Sequence, residues 1–176
     1  VTGYFAGDGF FGDDILTSLG DTDMFVARLD SEGRLDWVNP AGDAGTTQAT
    51  SLTVDPQGNC LVAGYFDQEA SFGTNYLFSA GFYDLFLAKY DPAGGVLWAR
   101  NTETSHAISA AGVATDGAGS VYLTGSFYGT AEFNTLTLTN GSTAQIFVAH
   151  YDADGNFAGA RHAGGALDDF GYAITT

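Results

Sequence analysis

The side chains best suited to chemistry in this 176-residue chain are its acids, its three histidines and its single thiol. Asp152-Ala153-Asp154-Gly155-Asn156 carries alternating carboxylates like the start of a calcium loop, where hard oxygen ligands suit the ion. Asp152 and Asp154 are therefore the calcium candidates. The matching turns Asp30-Ser31-Glu32-Gly33 and Asp91-Pro92-Ala93-Gly94 keep only the first Asp and the Gly. No bidentate Glu follows at the required later position, so a plain hairpin turn is the favoured reading and no cofactor is expected. Asp168-Asp169 and Asp13-Asp14 are acid pairs of the type used in glycoside hydrolysis, which needs two carboxylates roughly 5–10 Å apart. Sequence neighbours on a loop rarely converge that way, which favours solvated turn acids. His106, His150 and His162 show no metal-ligand spacing, and Cys60 lies in an apolar run as an inert thiol. His150 aligns with Arg28 and Lys89, a column expected to point outward with its charge in water. There is no Gly-x-Ser-x-Gly elbow and no phosphate-binding glycine loop, and no catalytic residue is assigned. Asn140-Gly141-Ser142 has the form of a glycosylation site but reads as a turn.

Aromatic residues are the other candidates. Phe10, Phe82 and Tyr128 fall on loops or strand ends and change identity between corresponding positions of the chain. Variable loop aromatics are where a sugar or a peptide can stack, so these three are the candidate ligand-binding residues.

The composition narrows the partners. Five basic residues against 21 acidic ones give a net charge of −16, which repels nucleic-acid phosphates and anionic lipid. No apolar run is long enough to span a membrane as a helix. Fourteen Phe, nine Tyr and 25 Gly against three Pro point to many short strands joined by tight turns.

The elements that hold these residues recur. Gly3, Gly64 and Gly125 correspond, as do Phe25, Phe86 and Phe147, then Ala27, Ala88 and Ala149, at a spacing of 61 residues without gaps. Each copy yields four strand-like runs, exemplified by 49–55, 59–66, 84–91 and 96–101, with Phe72 and Leu77 anchoring a loop or short hairpin between the second and third. The first run is rich in small residues and the fourth carries Trp98 or Trp37, replaced by Gly159 in the last copy. Asp followed three residues later by Gly marks the hairpin turns. Middle strands apolar on both faces describe propeller blades, each buried between two neighbours. The expected fold is therefore all-β: three 61-residue, four-stranded antiparallel repeats of a partial β-propeller within one domain, 1–176. The expected blade units are about 1–48, 49–109 and 110–170, with 171–176 supplying a first strand.

These residues resemble the bacterial seven-bladed β-propeller repeat family. The resemblance rests on Gly171-Tyr172-Ala173-Ile174, Val62-Ala63-Gly64-Tyr65-Phe66, Phe72-Gly73, Asp84 to Asp91, Gly95-Val96-Leu97-Trp98-Ala99 and the inter-blade segment Ala163 to Phe170. His150, Ser126 and Gly159 depart from it. It implies a secreted or surface-attached bacterial protein and carries over no catalytic residue. The function expected is a non-enzymatic structural or interaction segment, with a carbohydrate-binding propeller as the alternative and a glycoside hydrolase behind both. By this alignment the chain is expected to be cut within one hairpin, with a first strand at one end and a second strand at the other. Its expected partners are therefore further blades of a longer chain or a head-to-tail copy of itself, with a surface protein or glycan as the outside ligand.

Overall fold

The computed structural model describes residues 1–176, and every regular element in it is a β-strand. The first group comprises β1 (Thr2–Phe5), β2 (Asp8–Phe11), β3 (Asp14–Thr17), β4 (Asp23–Leu29) and β5 (Leu35–Ala41). Strands β1, β4 and β5 form an antiparallel sheet in that order, and β2 and β3 form a separate hairpin. The second group is β6 (Thr47–Val54), β7 (Cys60–Phe66), β8 (Glu69–Phe72), β9 (Asn75–Phe78), β10 (Asp84–Tyr90) and β11 (Val96–Thr104). Here the order is β6, β7, β10, β11, with β8 and β9 as the hairpin. The third is β12 (Ala107–Thr115), β13 (Val121–Tyr128), β14 (Thr130–Phe133), β15 (Leu136–Thr139), β16 (Gln145–Tyr151) and β17 (Phe157–Ala163). Its order, β12, β13, β16, β17, repeats that of the second sheet. The segment around Phe72 and Leu77 is thus a hairpin rather than an irregular loop. Residues 171–176 form no strand; they lie beside β12, where Thr176 donates to the Thr115 carbonyl at 2.7 Å.

Turn chemistry explains the sheet connections. Asp30, Asp55, Asp91, Asp116 and Asp152 each turn one carboxylate oxygen onto the amides two and four residues later, at 2.8–3.0 Å. The Gly three residues on takes a positive φ, from 77° at Gly155 to 89° at Gly94, which closes the turn without a Cβ penalty.

The core lies between sheets. One face of the second sheet packs Leu61, Leu85 and Leu87 with Ile108, Leu123, Phe127 and Phe147 of the third. Its other face packs Val62, Phe66, Phe86 and Ala88 with Met24 and Val26 of the first. All seven residues of β10 are buried, which is why this strand reads as a continuous apolar run. That burial corrects the expectation for Lys89. Covered on both sides, it is 5% exposed. Its ammonium pairs with Asp55 at 2.9 Å and donates to the Ala153 carbonyl of the third sheet at 3.0 Å. Arg28 remains exposed, bonded to the Pro92 carbonyl at 2.9 Å, and the His150 ring stacks on Tyr122 at 4.6 Å. Phe25 is only half-buried, unlike Phe86 and Phe147, because the first sheet packs against another sheet on one face alone.

Side-chain bonds join neighbouring sheets at both edges. Thr50 of β6 donates to the Ala110 carbonyl at 2.6 Å and Thr115 of β12 to the Val54 carbonyl at 3.3 Å, so the first strands converge. On the far side, Asn39 reaches the Gly94 carbonyl at 2.9 Å and Arg100 the Gly155 carbonyl at 3.2 Å. Hairpins add a clasp absent from the sequence reading. Strand β14 pairs with β11 of the preceding sheet, and Ser71 of β8 bridges Gly42 just beyond β5.

Candidate functional site: an aromatic cleft between two sheets

Two adjoining clefts open where the second and third sheets meet. The smaller, about 300 Å³, is lined by Tyr65, Tyr83, Ser109, Ser126, Tyr128 and Phe170, among others. The larger, about 550 Å³, includes Phe82, Tyr83, His106, Tyr128 and Ser142. Tyr83 and Tyr128 belong to both and form the ridge between them. Phe82 is 76% exposed, an unusual position for a large apolar ring.

Backbone hydrogen bonds tie together the two segments beneath these rings. The Phe82 amide donates to the His106 carbonyl at 2.8 Å, and the Ile108 amide to the Tyr83 carbonyl at 3.1 Å. Tyr83 and Ala107 thereby form a parallel bridge. Gly81 is required here, since a Cβ would come within 2.6 Å of the Thr104 carbonyl. Below it Asp84 is fully buried, accepting from the Thr104 amide at 2.9 Å and its hydroxyl at 3.0 Å. Behind Gly129 of the larger cleft, Asn140 accepts from the Gly129 amide at 2.6 Å and donates to the Phe127 carbonyl at 2.8 Å. This side chain is therefore part of the hairpin. The Tyr65 ring meets Tyr83 edge-on at 5.1 Å. Burial, with Tyr83 and Tyr4 beside it, pushes the Tyr65 phenol up, so it remains a neutral donor.

The same frame occurs at the junction of the first and second sheets, without the rings. The Asp21 amide donates to the Gly45 carbonyl at 2.7 Å and the Thr47 amide to the Thr22 carbonyl at 2.8 Å. Thr22 and Thr46 form the matching parallel bridge. Asp21, Thr22 and Asp67 thus stand where the other junction has Phe82, Tyr83 and Tyr128. Aromatic side chains are not what the fold needs at this place.

Of the residues singled out from sequence, Phe82 and Tyr128 share this site. Phe10 does not: it lies 74% exposed on β2, across from Ile15. Sequence reasoning passed over Tyr83 and Phe170, whose only signal is that they adjoin Phe82 and follow an acid pair. Asp152 is occupied by its own turn, bonded by the Asn156 side chain at 2.9 Å besides the two backbone amides. Those bonds, the Asn156 side chain first, hold its carboxyl below the usual range. Asp168 accepts from the Ala144 amide at 2.7 Å and Asp169 from the Gly165 amide at 2.7 Å. Asp13 and Asp14 are exposed at the β2–β3 turn. No three His, Cys, Asp or Glu side chains gather in metal-binding geometry. Cys60 is half-buried, its thiol pushed up by burial. Rings and hydroxyls, with the His106 imidazole at the larger cleft, give the site surfaces on which a ligand can stack.

No protein-family model matches the chain. It is similar to an uncharacterized WD repeat-containing protein of Acanthamoeba polyphaga mimivirus, 27% identical over 161 residues, covering 78% of this chain and 11% of the relative. The chain thus spans about a tenth of that relative's length. Together with the antiparallel sheets, the likeness fits a repeat protein of β-propeller type.

Proposed function

We propose that the chain is a non-enzymatic interaction segment of a secreted or cell-surface bacterial β-propeller protein, and that it engages a partner through the aromatic cleft. The cleft carries this reading: exposed rings stand on a frame that elsewhere in the chain bears Asp and Thr. The propeller component draws on the converging first strands and recurring inter-sheet bonds. In it, units 1–48, 49–109 and 110–170 are successive blades, with Gly171–Thr176 as the inner strand of the next. The Thr176 bond to Thr115 repeats the bond of Thr115 to Val54, which supports that placement. Further blades, from a longer chain or from a head-to-tail copy, would complete the ring. The extracellular location draws on the family resemblance alone.

A carbohydrate-binding propeller uses the same rings, but no Asp, Glu, Asn, Gln or Arg side chain lines either cleft to sort sugar hydroxyls. The test is affinity capture from surface and secreted extracts with the chain and its Phe82→Thr/Tyr128→Ala variant side by side. A partner retained by the first and released by the second is the expected result. Equal retention on both removes the cleft from the function, and release of sugar from a polysaccharide panel removes the non-enzymatic reading.

A further inference from the structure

The chemistry of the cleft and the charge of the molecule together define a ligand class, and this step rests on the interaction reading above. Large rings converge there: Phe82, Tyr83 and Tyr128, with Tyr65 and Phe170 behind them. Each ring face is the negative pole of a quadrupole and attracts a cation placed over it. Neither cleft has a Lys or Arg in its lining, and the one imidazole there, His106, is hydrogen-bonded to the Ser105 hydroxyl at 3.1 Å. The chain as a whole carries −16, with five basic residues, and several of those are engaged elsewhere. Lys89 is buried against Asp55, Arg34 pairs with Asp30, and Arg100 lies over Trp98.

Acids lie beyond the lining rather than inside it. Asp168 and Asp169 immediately precede Phe170. They are tied to Ala144, two residues beyond Ser142 of the larger cleft, by bonds of 2.7 and 3.0 Å. An approaching cation therefore meets a negative field outside and ring faces within. An anionic ligand is repelled at both stages, and a neutral one gains nothing from the charge.

We infer that the cleft takes a Lys- or Arg-bearing extended segment of a partner protein, seating a cationic side chain against Phe82, Tyr83 and Tyr128. The net charge of the domain speeds and strengthens encounter, while the rings supply selectivity over other surfaces of equal charge.

Calorimetric titration with a synthetic Lys-Gly peptide tests this, against its Glu-Gly counterpart and a neutral cello-oligosaccharide. The Lys-Gly peptide is expected to bind, to weaken as salt is raised from about 50 to 500 mM, and to outcompete both controls. Phe82→Thr/Tyr128→Ala places at each position the residue found at a corresponding place elsewhere in the chain, Thr143 and Ala6. It should lower affinity about tenfold with an unchanged circular dichroism spectrum. Chemical-shift mapping on the unmodified chain should centre on Phe82, Tyr83 and Tyr128 whether or not the variant folds. Absent binding, equal binding by the variant, or shifts confined to other surfaces would each overturn the inference. So would preferential, ring-dependent binding of the oligosaccharide. All four leave the interaction reading to stand or fall on the capture experiment.

Discussion

Asp23 and Asp84 occupy the same place in successive sheets, each accepting an amide four residues earlier, from Leu19 at 3.0 Å and Ala80 at 2.7 Å. Their second oxygens differ. In Asp84 it accepts from Thr104; in Asp23 it is buried without a partner, and Asp43 holds the position of Thr104. Burial pushes the Asp23 carboxyl up, the Leu19 and Gly20 amides oppose it, and the negative charge of Asp43 adds to the rise. Asp43→Thr supplies a hydroxyl donor and removes the like charge. It should stabilise the fold by about 1–2 kcal/mol in urea unfolding at pH 7. A raised carboxyl stabilises the fold fully below its unfolded pKa and loses that contribution as pH rises through the folded value. The gain should therefore fade in acid, and a stability loss at pH 7 would contradict the account. At the core, Phe86 touches Phe72 at 4.9 Å between two sheets, fully buried. Phe86→Ala should cost about 3–5 kcal/mol, and a loss below about 1 kcal/mol would show the site able to collapse.

Among the elements, turns and outer strands interlock. The Trp98 ring of β11 lies on Gly155, where a Cβ would stand 2.8 Å from it and φ is +77°. Trp37 meets Gly94 in the same way. Gly155→Ala combines a left-handed backbone with that clash and should lower stability by at least about 1–2 kcal/mol. Thermal melts of the purified variant measure it; a neutral result would mean that the third sheet shifts freely. The same turns set the acid limb of stability. The Arg34 amide, the Ser120 amide and the Asn156 side chain lead in lowering Asp30, Asp116 and Asp152 respectively. Burial raises Asp55, but bonds from Asn59 and Lys89 outweigh it and lower its carboxyl as well. Groups depressed in the fold stabilise it above their unfolded pKa, about 4, and lose that contribution as pH falls through the folded values. Melting temperature should hold near neutrality and decline below about pH 4, and a melting temperature still level well below that would exclude the turn carboxylates as its supports.

For the whole molecule, the inner edge of β1 has no strand partner and residues 171–176 present an unpaired edge beside β12. The proposed ring completion predicts association of the isolated chain through these edges. Light scattering should give a mass above 18.3 kDa at micromolar concentration. A stable 18.3 kDa monomer with little binding of an apolar dye would remove that proposal.

The all-β class and the hairpin turns were legible in the sequence because both are local. Strand alternation, and the run from Asp to the Gly three residues on, act within a few residues and tolerate few other conformations. Tertiary structure alone decided what lies across sheets. Lys89 looked outward by its charge, yet β10 is covered on both faces and a buried acid awaits it. Phe10 looked equivalent to Phe82 and Tyr128, but it lies on the β2–β3 hairpin while the other two meet across a sheet junction. Tyr83 and Phe170 gave no periodic signal, since their partnership joins segments 87 residues apart. A surface of that kind is set by which sheet faces meet, a long-range packing outcome that residue types and short-range spacing do not encode.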